Sequence, residues 1–437
     1  MDRKKFIKTG VSAALVSSFS PSWGKPKNAG APNDTSVNLS YDVSTWEKIR
    51  QAFPLKQNIT FLNNGTMGIT PNPVLNAITE SFTHIAENGA YPHHNNQLET
   101  QLATLLGCLP EEIGITKNVS ESINHIAWGL PLKSGDEVLI TQHEHIGGCA
   151  AWMRRAQLEG IRVTAVPIGS TPDECLSLIA RAISPKTKVI AVPHIPCTTG
   201  QVLPVKAICA LAREKGLISV LDGAHPLGMI QFNLREIDCD YYAGCFHKWM
   251  LGPIGSGWMY IKKDLIDKTR ITHVAAYSVN AFDMSVVPPH MDMPILEVSR
   301  YAYGSFSGPH IAGCKAALDW YQLIGPARIE NRIKQLNTYL RNTLEDTDGK
   351  VKILNAKDPS SQGAQLGFQI MPAHTAQKDP NQGFVNFARE NGLILRYVGE
   401  NKVDCVRVST HYYNNETEID RFFELLKDYA WNPASTR

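Results

Sequence analysis

The sequence lacks an excess of charge of either sign. Among its 437 residues, 43 Lys and Arg stand against 41 Asp and Glu, which gives a net charge of +2 with His neutral. Nucleic-acid-binding domains and proteins that adhere to anionic membranes carry clear basic surpluses. We therefore expect no nucleic acid among the partners of this protein.

Long hydrophobic runs, internal repeats and low-complexity stretches are also missing from the body of the chain. A membrane-spanning helix needs about 20 apolar residues, and no such run follows the N-terminal segment. The chain is 43% hydrophobic and 19% charged, which excludes wholesale disorder, a collagen-like repeat and a coiled coil. The sequence predicts a globular protein of two or three domains without a membrane anchor in its mature form.

Motifs for zinc and for dinucleotides are absent. The nine cysteines are scattered without a CxxC or Cys/His pattern, and several lie in apolar runs, so we interpret them as structural thiols. The pairs His93-His94 and His143/His145 lack metal-ligand spacing with a carboxylate partner, and we expect no metal site. No G-x-G-x-x-G follows the early strands, which disfavours a Rossmann dinucleotide enzyme.

The first 31 residues resemble an export signal with its processing region. A basic start contains Arg3 followed by Lys4, where a twin-arginine signal has a second arginine, and a short apolar run reaches Ser20. Ala29-Gly30-Ala31 is a possible cleavage site. The sequence thus predicts an exported, periplasmic protein; the alternative is an ordinary basic amphipathic tail.

Between about residues 110 and 265, apolar strand patterns alternate with helical segments. Strands that are buried on both faces read as continuous apolar runs, and alternation with helices predicts a mostly parallel sheet sandwiched by helices. After Pro288-Pro289 the pattern changes to two long helices and short strands, typical of a smaller α+β domain. We predict an N-terminal arm over 32–60, a large domain over 61–306 and a small C-terminal domain over 307–437. The predicted strands of the large domain are 136–141, 162–168, 188–194, 217–221, 240–244 and 257–261.

An acid and a lysine follow two consecutive predicted strands. Asp222 ends one strand, and Lys248 comes just past the next, 26 residues later. A lysine at a buried strand end is costly unless it is paired or neutral, and a desolvated amine becomes a nucleophile. Pyridoxal phosphate needs such a lysine for its covalent link and a carboxylate for its pyridine nitrogen. The alternative is a structural ion pair in a cleft.

Four motifs around these residues carry a resemblance to a family. They are Asp-Gly-Ala-His at 222–225, His-Lys-Trp at 247–249 with Gly-Pro-x-Gly after it, FLNNGTMG at 61–68 and VRVSTHYYNNETEID at 406–420. In order and spacing they resemble the class V aminotransferases, fold-type I pyridoxal phosphate enzymes, and most of all the isopenicillin N epimerase-like branch. The resemblance implies an α/β fold with a large domain built on a seven-stranded-type sheet and a smaller α+β domain. It also implies a pyridoxal 5'-phosphate cofactor, an amino-acid-like substrate, and a homodimer with active sites at the interface.

The resemblance assigns the catalytic residues. Lys248 would carry the internal aldimine and shuttle a proton once substrate displaces it. Asp222 would pair with the pyridine nitrogen, His225 would lie near the phenolic oxygen, and the ring of His145 would stack on the cofactor. Alternatively, His145 is a core histidine, and His143 or Glu144 takes the position next to the cofactor.

The same resemblance assigns the phosphate site. Backbone N–H groups of Val119, Ser120 and Glu121 would hold the phosphate at a helix N-terminus, where the helix dipole favours an anion. His247 would add a contact, and Ser305 would reach the phosphate of the neighbouring subunit. Ser120 has the alternative of being an ordinary helix N-cap.

Two substrate contacts are implied. Arg407 would clamp the substrate carboxylate bidentately, a task that suits arginine better than lysine. Asn64 would lie near the substrate. The alternatives are a salt bridge within the small domain for Arg407 and a plain Asn-Gly turn for Asn64.

The reaction stays open among those that start at the substrate α-carbon. We expect an epimerase or aminotransferase that acts on an amino acid or a peptide derivative. The alternatives are an exported aminotransferase-type enzyme that modifies a siderophore or peptide side chain, a C–S lyase, and a periplasmic binding protein that has lost catalysis. A desulfurase that uses a cysteine on a mobile loop is disfavoured, because Cys405 falls inside a strand pattern.

Overall fold

The computed structural model describes residues 41–89, 96–292 and 297–431. The predicted export and processing segment, the part of the predicted arm over 32–40, and the pair His93-His94 lie outside the described residues. By their contacts the described residues belong to one compact unit, and the division into two domains stays a prediction.

The strands of the described residues are short and mostly buried. In chain order they are β1 Thr60–Phe61, β2 Ile113–Thr116, β3 Glu137–Thr141, β4 Arg162–Val166, β5 Thr187–Pro193, β6 Ile218–Gly223, β7 Tyr241–Cys245, β8 Gly257–Ile261, β9 Ala281–Asp283, β10 His290–Asp292, β11 Val351–Ile353, β12 Gln365–Ile370, β13 Leu393–Ile394, β14 Arg396–Val398 and β15 Cys405–Ser409.

Most of the helices begin with a capping side chain or with proline in the first turn. Asn118 and Thr171 accept hydrogen bonds from N–H groups of the helices that follow them, and proline stands in the first turn of several others. In chain order they are α1 Trp46–Arg50, α2 Asn72–Asn88, α3 Gln97–Leu106, α4 Val119–Gly129, α5 Ile146–Glu159, α6 Pro172–Ala182, α7 Val205–Glu214, α8 Leu234–Ile237, α9 Gly308–Ile324, α10 Pro326–Glu345, α11 Pro380–Glu390 and α12 Glu416–Trp431.

The large sheet has seven strands in the order β2-β8-β7-β6-β5-β3-β4. β4, β3, β5, β6 and β7 pair in parallel, and β8 runs antiparallel between β7 and β2. The predicted mostly parallel sheet is therefore confirmed. Apolar residues of α4 and α5 pack on it in one continuous core with residues of the central strands.

The parallel strands place their carboxyl ends at one edge of the sheet. Asp222 lies near the end of β6, and Lys248 follows the end of β7 by three residues. Ligands of open α/β sheets bind at this edge. The two residues singled out in the sequence are thus neighbours because of the strand order.

A second, antiparallel sheet of four strands has the order β11-β12-β15-β14. It packs with α10, α11 and α12 around its own apolar core. The apolar run at 393–397 is divided between two of the short strands. The chain forms two short strands there, because Leu393 and Ile394 pair with Thr60 and Phe61 before the chain enters the second sheet as β14.

Within the described residues, no helix is long and apolar enough to cross a membrane.

Candidate active site

A cavity of about 230 Å³ opens at the carboxyl edge of the large sheet. Its lining comes from the segments that follow β1, β3, β5, β6 and β7, from the start of α4, and from one residue of the second sheet. The lining residues are Gly65, Thr66, Asn118, Val119, Ser120, His143, His145, Gly147, Pro193, Ile195, Cys197, Asp222, Ala224, His225, Cys245, His247, Lys248 and Arg396.

The amine of Lys248 faces the ring of His225. The distance between Lys248 Nζ and His225 Nε2 is 3.3 Å. Trp249 Nε1–H donates to the other ring nitrogen, Nδ1, over 3.1 Å, which places the ring proton of a neutral His225 on Nε2. Burial, together with the charge of Lys248, lowers the pKa of His225 well below its usual value. A neutral ring thus points an N–H at the lysine nitrogen.

Asp222 is a half-buried carboxylate with spare acceptor capacity. The hydrogen bond that it accepts within the described chain comes from the backbone N–H of Ala224 to Oδ1, over 2.9 Å. Burial raises its pKa, while the Ala224 N–H and the charge of Lys248 act in the opposite direction. Oδ2 therefore stays available for a positively charged N–H partner inside the cavity.

Glu144 lies on the sheet side of the cavity, next to Asp222. A Cβ placed on Gly148 would meet Asp222 Oδ2 at 2.7 Å and Glu144 Oε2 at 3.4 Å, so both carboxyl groups approach the start of α5. Oε1 accepts hydrogen bonds from the backbone N–H and the hydroxyl of Thr141, over 3.0 and 2.8 Å. Burial, with a further contribution from the charge of Asp222, raises the pKa of Glu144 to about 8. Glu144 is therefore mostly protonated at neutral pH and adds little negative charge beside Asp222.

The raised pKa gives a testable pH dependence. Because the folded state holds the proton of Glu144 more tightly than the unfolded chain does, the stability that this proton confers is complete below the unfolded pKa and is lost as the pH rises toward 8. Glu144→Gln cannot ionise. The difference between the free energies of unfolding of this variant and of the unmodified protein should therefore change by roughly 2–3 kcal/mol, in favour of the variant, between about pH 6 and pH 8. Urea unfolding of the cofactor-free protein measures this difference.

Glu137 offers the matched control. It is a buried carboxylate at the opposite end of β3, and it accepts hydrogen bonds from Thr164, Ser184 and Thr187. Its pKa is lowered, because these hydrogen bonds outweigh the effect of burial. Glu137→Gln should shift stability by the same amount at both pH values. A pH-independent difference for Glu144→Gln as well would show that Glu144 is ionised in the folded protein.

Two histidines of the loop after β3 line the cavity. His145 caps α5, since its Nδ1 accepts the N–H of Gly147 over 3.0 Å, and His143 Nδ1 lies 2.9 Å from Thr198 Oγ1. Burial lowers the pKa of both rings, so both are largely neutral at pH 7. The structure places His145 at the cavity, as the stacking role requires, whereas the Glu144 side chain turns toward Asp222.

The start of α4 also lines the cavity, close to the start of α5. Asn118, Val119 and Ser120 line it, and N–H groups at a helix start favour an anion. The helix cap is Asn118, whose Oδ1 accepts the N–H of Glu121 over 2.9 Å. The alternative of Ser120 as the cap is therefore wrong. Glu121 does not line the cavity. Its N–H donates to the cap residue Asn118, and its carboxylate accepts the N–H of Lys117. These contacts contradict its predicted phosphate role.

His247 and Ser305, the other predicted phosphate contacts, lie in different places. His247 lines the cavity, and its buried Nδ1 has no hydrogen-bond partner within the described chain. Burial lowers its pKa. Ser305 lies exposed, before α9 and outside this cavity. Its assigned contact is with a neighbouring subunit, and that assignment stays a prediction.

Arg407 is fully buried in the middle of β15 and has only neutral oxygen partners. Its Nη1 donates to Cys197 O over 2.8 Å, and its Nη2 donates to Thr66 Oγ1 over 2.8 Å and to Asn63 Oδ1 over 3.2 Å. Within the described residues its Nε has no partner and no carboxylate pairs with it, so the salt-bridge alternative is wrong. Cys197 and Thr66 line the cavity, and Arg407 lies directly behind them. A buried cation without a counter-ion suits an anionic ligand group.

Asn64 does not face the cavity, which contradicts its predicted place beside the substrate. Its Nδ2 donates to Lys248 O over 3.4 Å, and its Oδ1 accepts the hydroxyl of Tyr413 over 3.0 Å. Gly68, in the same motif, donates its N–H to His247 O over 2.8 Å, and a Cβ there would lie 2.1 Å from Lys248 O. The FLNNGTMG segment therefore holds the backbone that presents the lysine.

The thiols near the cavity are protonated. Cys197 and Cys245 line it, and burial raises the pKa of both, that of Cys245 to about 11. Cys405 is buried at the start of β15, where burial raises its pKa to about 12. The sequence-based interpretation of Cys405 as a strand residue rather than a loop nucleophile is confirmed.

The cavity fits the cofactor that the resemblance implies. It is lined by an amine, by a half-buried carboxylate with a spare oxygen, and by a helix start next to a histidine whose Nδ1 has no partner within the described chain. No group of three or more His, Cys, Asp or Glu side chains in the described ranges could hold a metal ion. Sequence reasoning missed Arg396 and Gln365, because both come from the second sheet. The Nε2 of Gln365 lies 2.9 Å from His225 Nδ1.

Comparisons with known proteins find relatives of this chain that share a fold and a cofactor class. The family model described as "Aminotransferase class-V" matches residues 59–422. Isopenicillin N epimerase of Amycolatopsis lactamdurans is 28% identical over 89% of this chain and 99% of its own length. A probable cysteine desulfurase of Methanothermobacter thermautotrophicus is 28% identical over 88% of this chain and 98% of its own length.

Solved structures give a similar result. A lysine-to-alanine variant of C-DES, with glycine covalently linked to its pyridoxal phosphate cofactor, superposes with a TM-score of 0.78 at 28% identity, over 87% of this chain and 99% of its own. A complex of the cystine C–S lyase C-DES with its product, cysteine persulfide, has the same TM-score and identity, over 86% and 100% of the two chains.

Proposed function

Because the chain belongs to the class V aminotransferase family, we propose that it moves a proton at the α-carbon of an amino acid or a peptide derivative, as an epimerase or an aminotransferase. The family predicted from the motifs is confirmed by the match over residues 59–422. The observation that carries the proposal is the contact between Lys248 Nζ and the neutral ring of His225, in a cavity that Asp222 also lines.

The protein is an enzyme that depends on pyridoxal 5'-phosphate. The cofactor supplies an electron sink that weakens the bonds at the α-carbon of a linked amino acid. Lys248 would hold it, Asp222 would pair with its ring nitrogen, and the start of α4 with His247 would hold its phosphate. His145 would cover one face of its ring.

Lys248 is the base that fits the proton step best. Among the side chains that line the cavity, it combines an amine with a neighbour, His225, whose N–H points at that amine. The thiols of Cys197 and Cys245 are protonated at neutral pH because burial raises their pKa. A lysine in this position can remove a proton from the α-carbon and return it to the same atom or to another.

Arg407 would bind the α-carboxylate of the substrate. Arg407→Lys keeps the charge but loses the two-pronged donor set, so KM should rise roughly 10- to 100-fold, with a smaller change in kcat. Steady-state kinetics of the loaded enzyme measures this. Arg300→Lys is the matched control. Arg300 is equally buried but does not line the cavity, and its hydrogen bond to Thr269 O is 2.8 Å long. An unchanged kcat/KM in Arg407→Lys would rule out the carboxylate role.

The reaction is identified by a screen of D- and L-amino compounds in deuterated water. Deuterium at the α-carbon with the amine retained and the configuration changed indicates epimerisation, whereas formation of a keto acid indicates transamination. Full cofactor loading without exchange of any α-proton across the screen would overturn the proposal.

A C–S lyase is the second candidate, favoured by the similarity to C-DES over most of both chains. Elimination starts with the same α-proton, so Lys248 would serve it too. Release of sulfide or a persulfide from cystine or cysteine, without keto-acid formation from sulfur-free amino acids, would favour this candidate. The predicted export and a tailoring role outside the cytoplasm rest on residues 1–31 and stay predictions.

A further inference from the structure

The cavity is lined by an arginine that none of the assigned roles uses. Arg396 is the first residue of β14 and lines the cavity. In the antiparallel pairing of β14 with β15 it stands directly opposite Arg407. Directly opposed residues project from the same face of a sheet, so both arginines point to the side that faces the large sheet.

The two guanidinium groups have separate partners. That of Arg407 is fully buried and bonds to Cys197 O, Asn63 and Thr66. That of Arg396 is 22% exposed and forms an ion pair with Glu400, in the turn that follows β14. The two arginines thus share no partner. Arg407 lies behind the cavity wall, whereas Arg396 lies at the rim of the cavity.

The rim arginine has unused donors. A guanidinium carries five N–H donors, and the interaction with Glu400 is the hydrogen bond that Arg396 makes within the described ranges. The turn that carries Glu400 is anchored across the cavity, because Asn401 Nδ2 donates to Glu144 O over 3.4 Å. Arg396 is therefore held at the rim with donors left over for a ligand.

The positive charges of the two arginines exceed the negative charge nearby, which leaves room for an anion. Like charges directly opposite each other on a sheet destabilise it, yet two arginines occupy such a pair, and the carboxylate nearby, Glu400, neutralises one of them. The α-carboxylate of a substrate would balance Arg407. An anionic group farther along the substrate would reach Arg396 at the rim.

We propose that Arg396 binds a second carboxylate, carried by the side chain of the substrate. This inference rests on the proposed function and narrows its substrate class to amino acids or amino-acid derivatives with an acidic distal group. Arginine suits this task because its planar fork matches a carboxylate.

The test compares ligand pairs that differ only in the distal charge. The loaded enzyme is titrated with L-glutamate against L-glutamine and with L-2-aminoadipate against its side-chain amide. The dissociation constant is read from the change in cofactor absorption and, independently, from the ligand-induced shift in melting temperature. At least one acid should bind about 10- to 100-fold more tightly than its amide, the range of a charge-assisted hydrogen bond.

Two variants locate the preference. In Arg396→Gln the ratio between acid and amide should fall to about 1, as expected when the charge-assisted contact is lost. In Glu400→Gln, which frees the guanidinium, the ratio should stay or increase. A preference that survives Arg396→Gln would overturn the proposal. So would an equal loss of acid and amide binding, since Arg396 would then share the α-carboxylate with Arg407.

Failure of this inference is distinguishable from failure of the proposed function. Neutral amino acids that exchange their α-proton without any preference for the acids would leave the function standing and overturn the substrate class. A loaded enzyme whose absorption and melting temperature respond to no amino compound would overturn both.

Discussion

Replacement of Lys248 by alanine is expected to remove turnover and the covalent attachment of the cofactor together. Reduction with borohydride should add the mass of the reduced cofactor to the peptide that contains Lys248, and the Lys248→Ala protein should carry no such adduct. The loss of kcat should be at least about 1000-fold, because the variant lacks both the attachment point and the general base.

The measurement is peptide mass spectrometry combined with steady-state kinetics. Cofactor absorbance by itself is not enough, since a lysine-to-alanine variant of C-DES holds its cofactor linked to glycine. Lys262→Ala is the control, because Lys262 pairs with Asp238 at the end of β8 away from the cavity. Retention of the adduct on any other lysine after Lys248→Ala would place the attachment point elsewhere.

Asp222→Asn is expected to have the second-largest effect. The amide keeps the shape of the side chain but removes the negative charge that would hold a proton on the cofactor ring nitrogen. We expect kcat to fall about 100- to 1000-fold, which is the cost of losing one preorganised electrostatic contact. Binding of the cofactor should weaken as well, and equilibrium dialysis measures this apart from activity.

Asp240→Asn provides the comparison for Asp222→Asn. Asp240 accepts hydrogen bonds from the N–H and hydroxyl of Ser219, over 2.8 and 2.9 Å, at the amino end of the same pair of strands. This change should lower stability without a selective loss of kcat. If both variants lost activity only in proportion to their unfolded fraction, Asp222 would have no role beyond structure.

The phosphate site shows the limit of sequence reasoning within a single motif. The resemblance assigned three residues at the start of α4 to this site, and two of them, Val119 and Ser120, line the cavity. Glu121 was placed there wrongly. Its N–H is taken by Asn118 Oδ1, a local competition for a backbone donor that spacing along the chain does not reveal.

The sequence by itself determined the large sheet and the pair Lys248 and Asp222. Buried parallel strands are continuous apolar runs, and their carboxyl ends must meet at one edge of the sheet. Only the tertiary structure decided what surrounds that pair: the carboxyl of Glu144 beside Asp222, the amide of Gln365 at His225, and Arg396 opposite Arg407. These contacts join residues of different loops and sheets, and their chemistry follows from burial and from neighbours distant in the chain, which local sequence patterns do not encode.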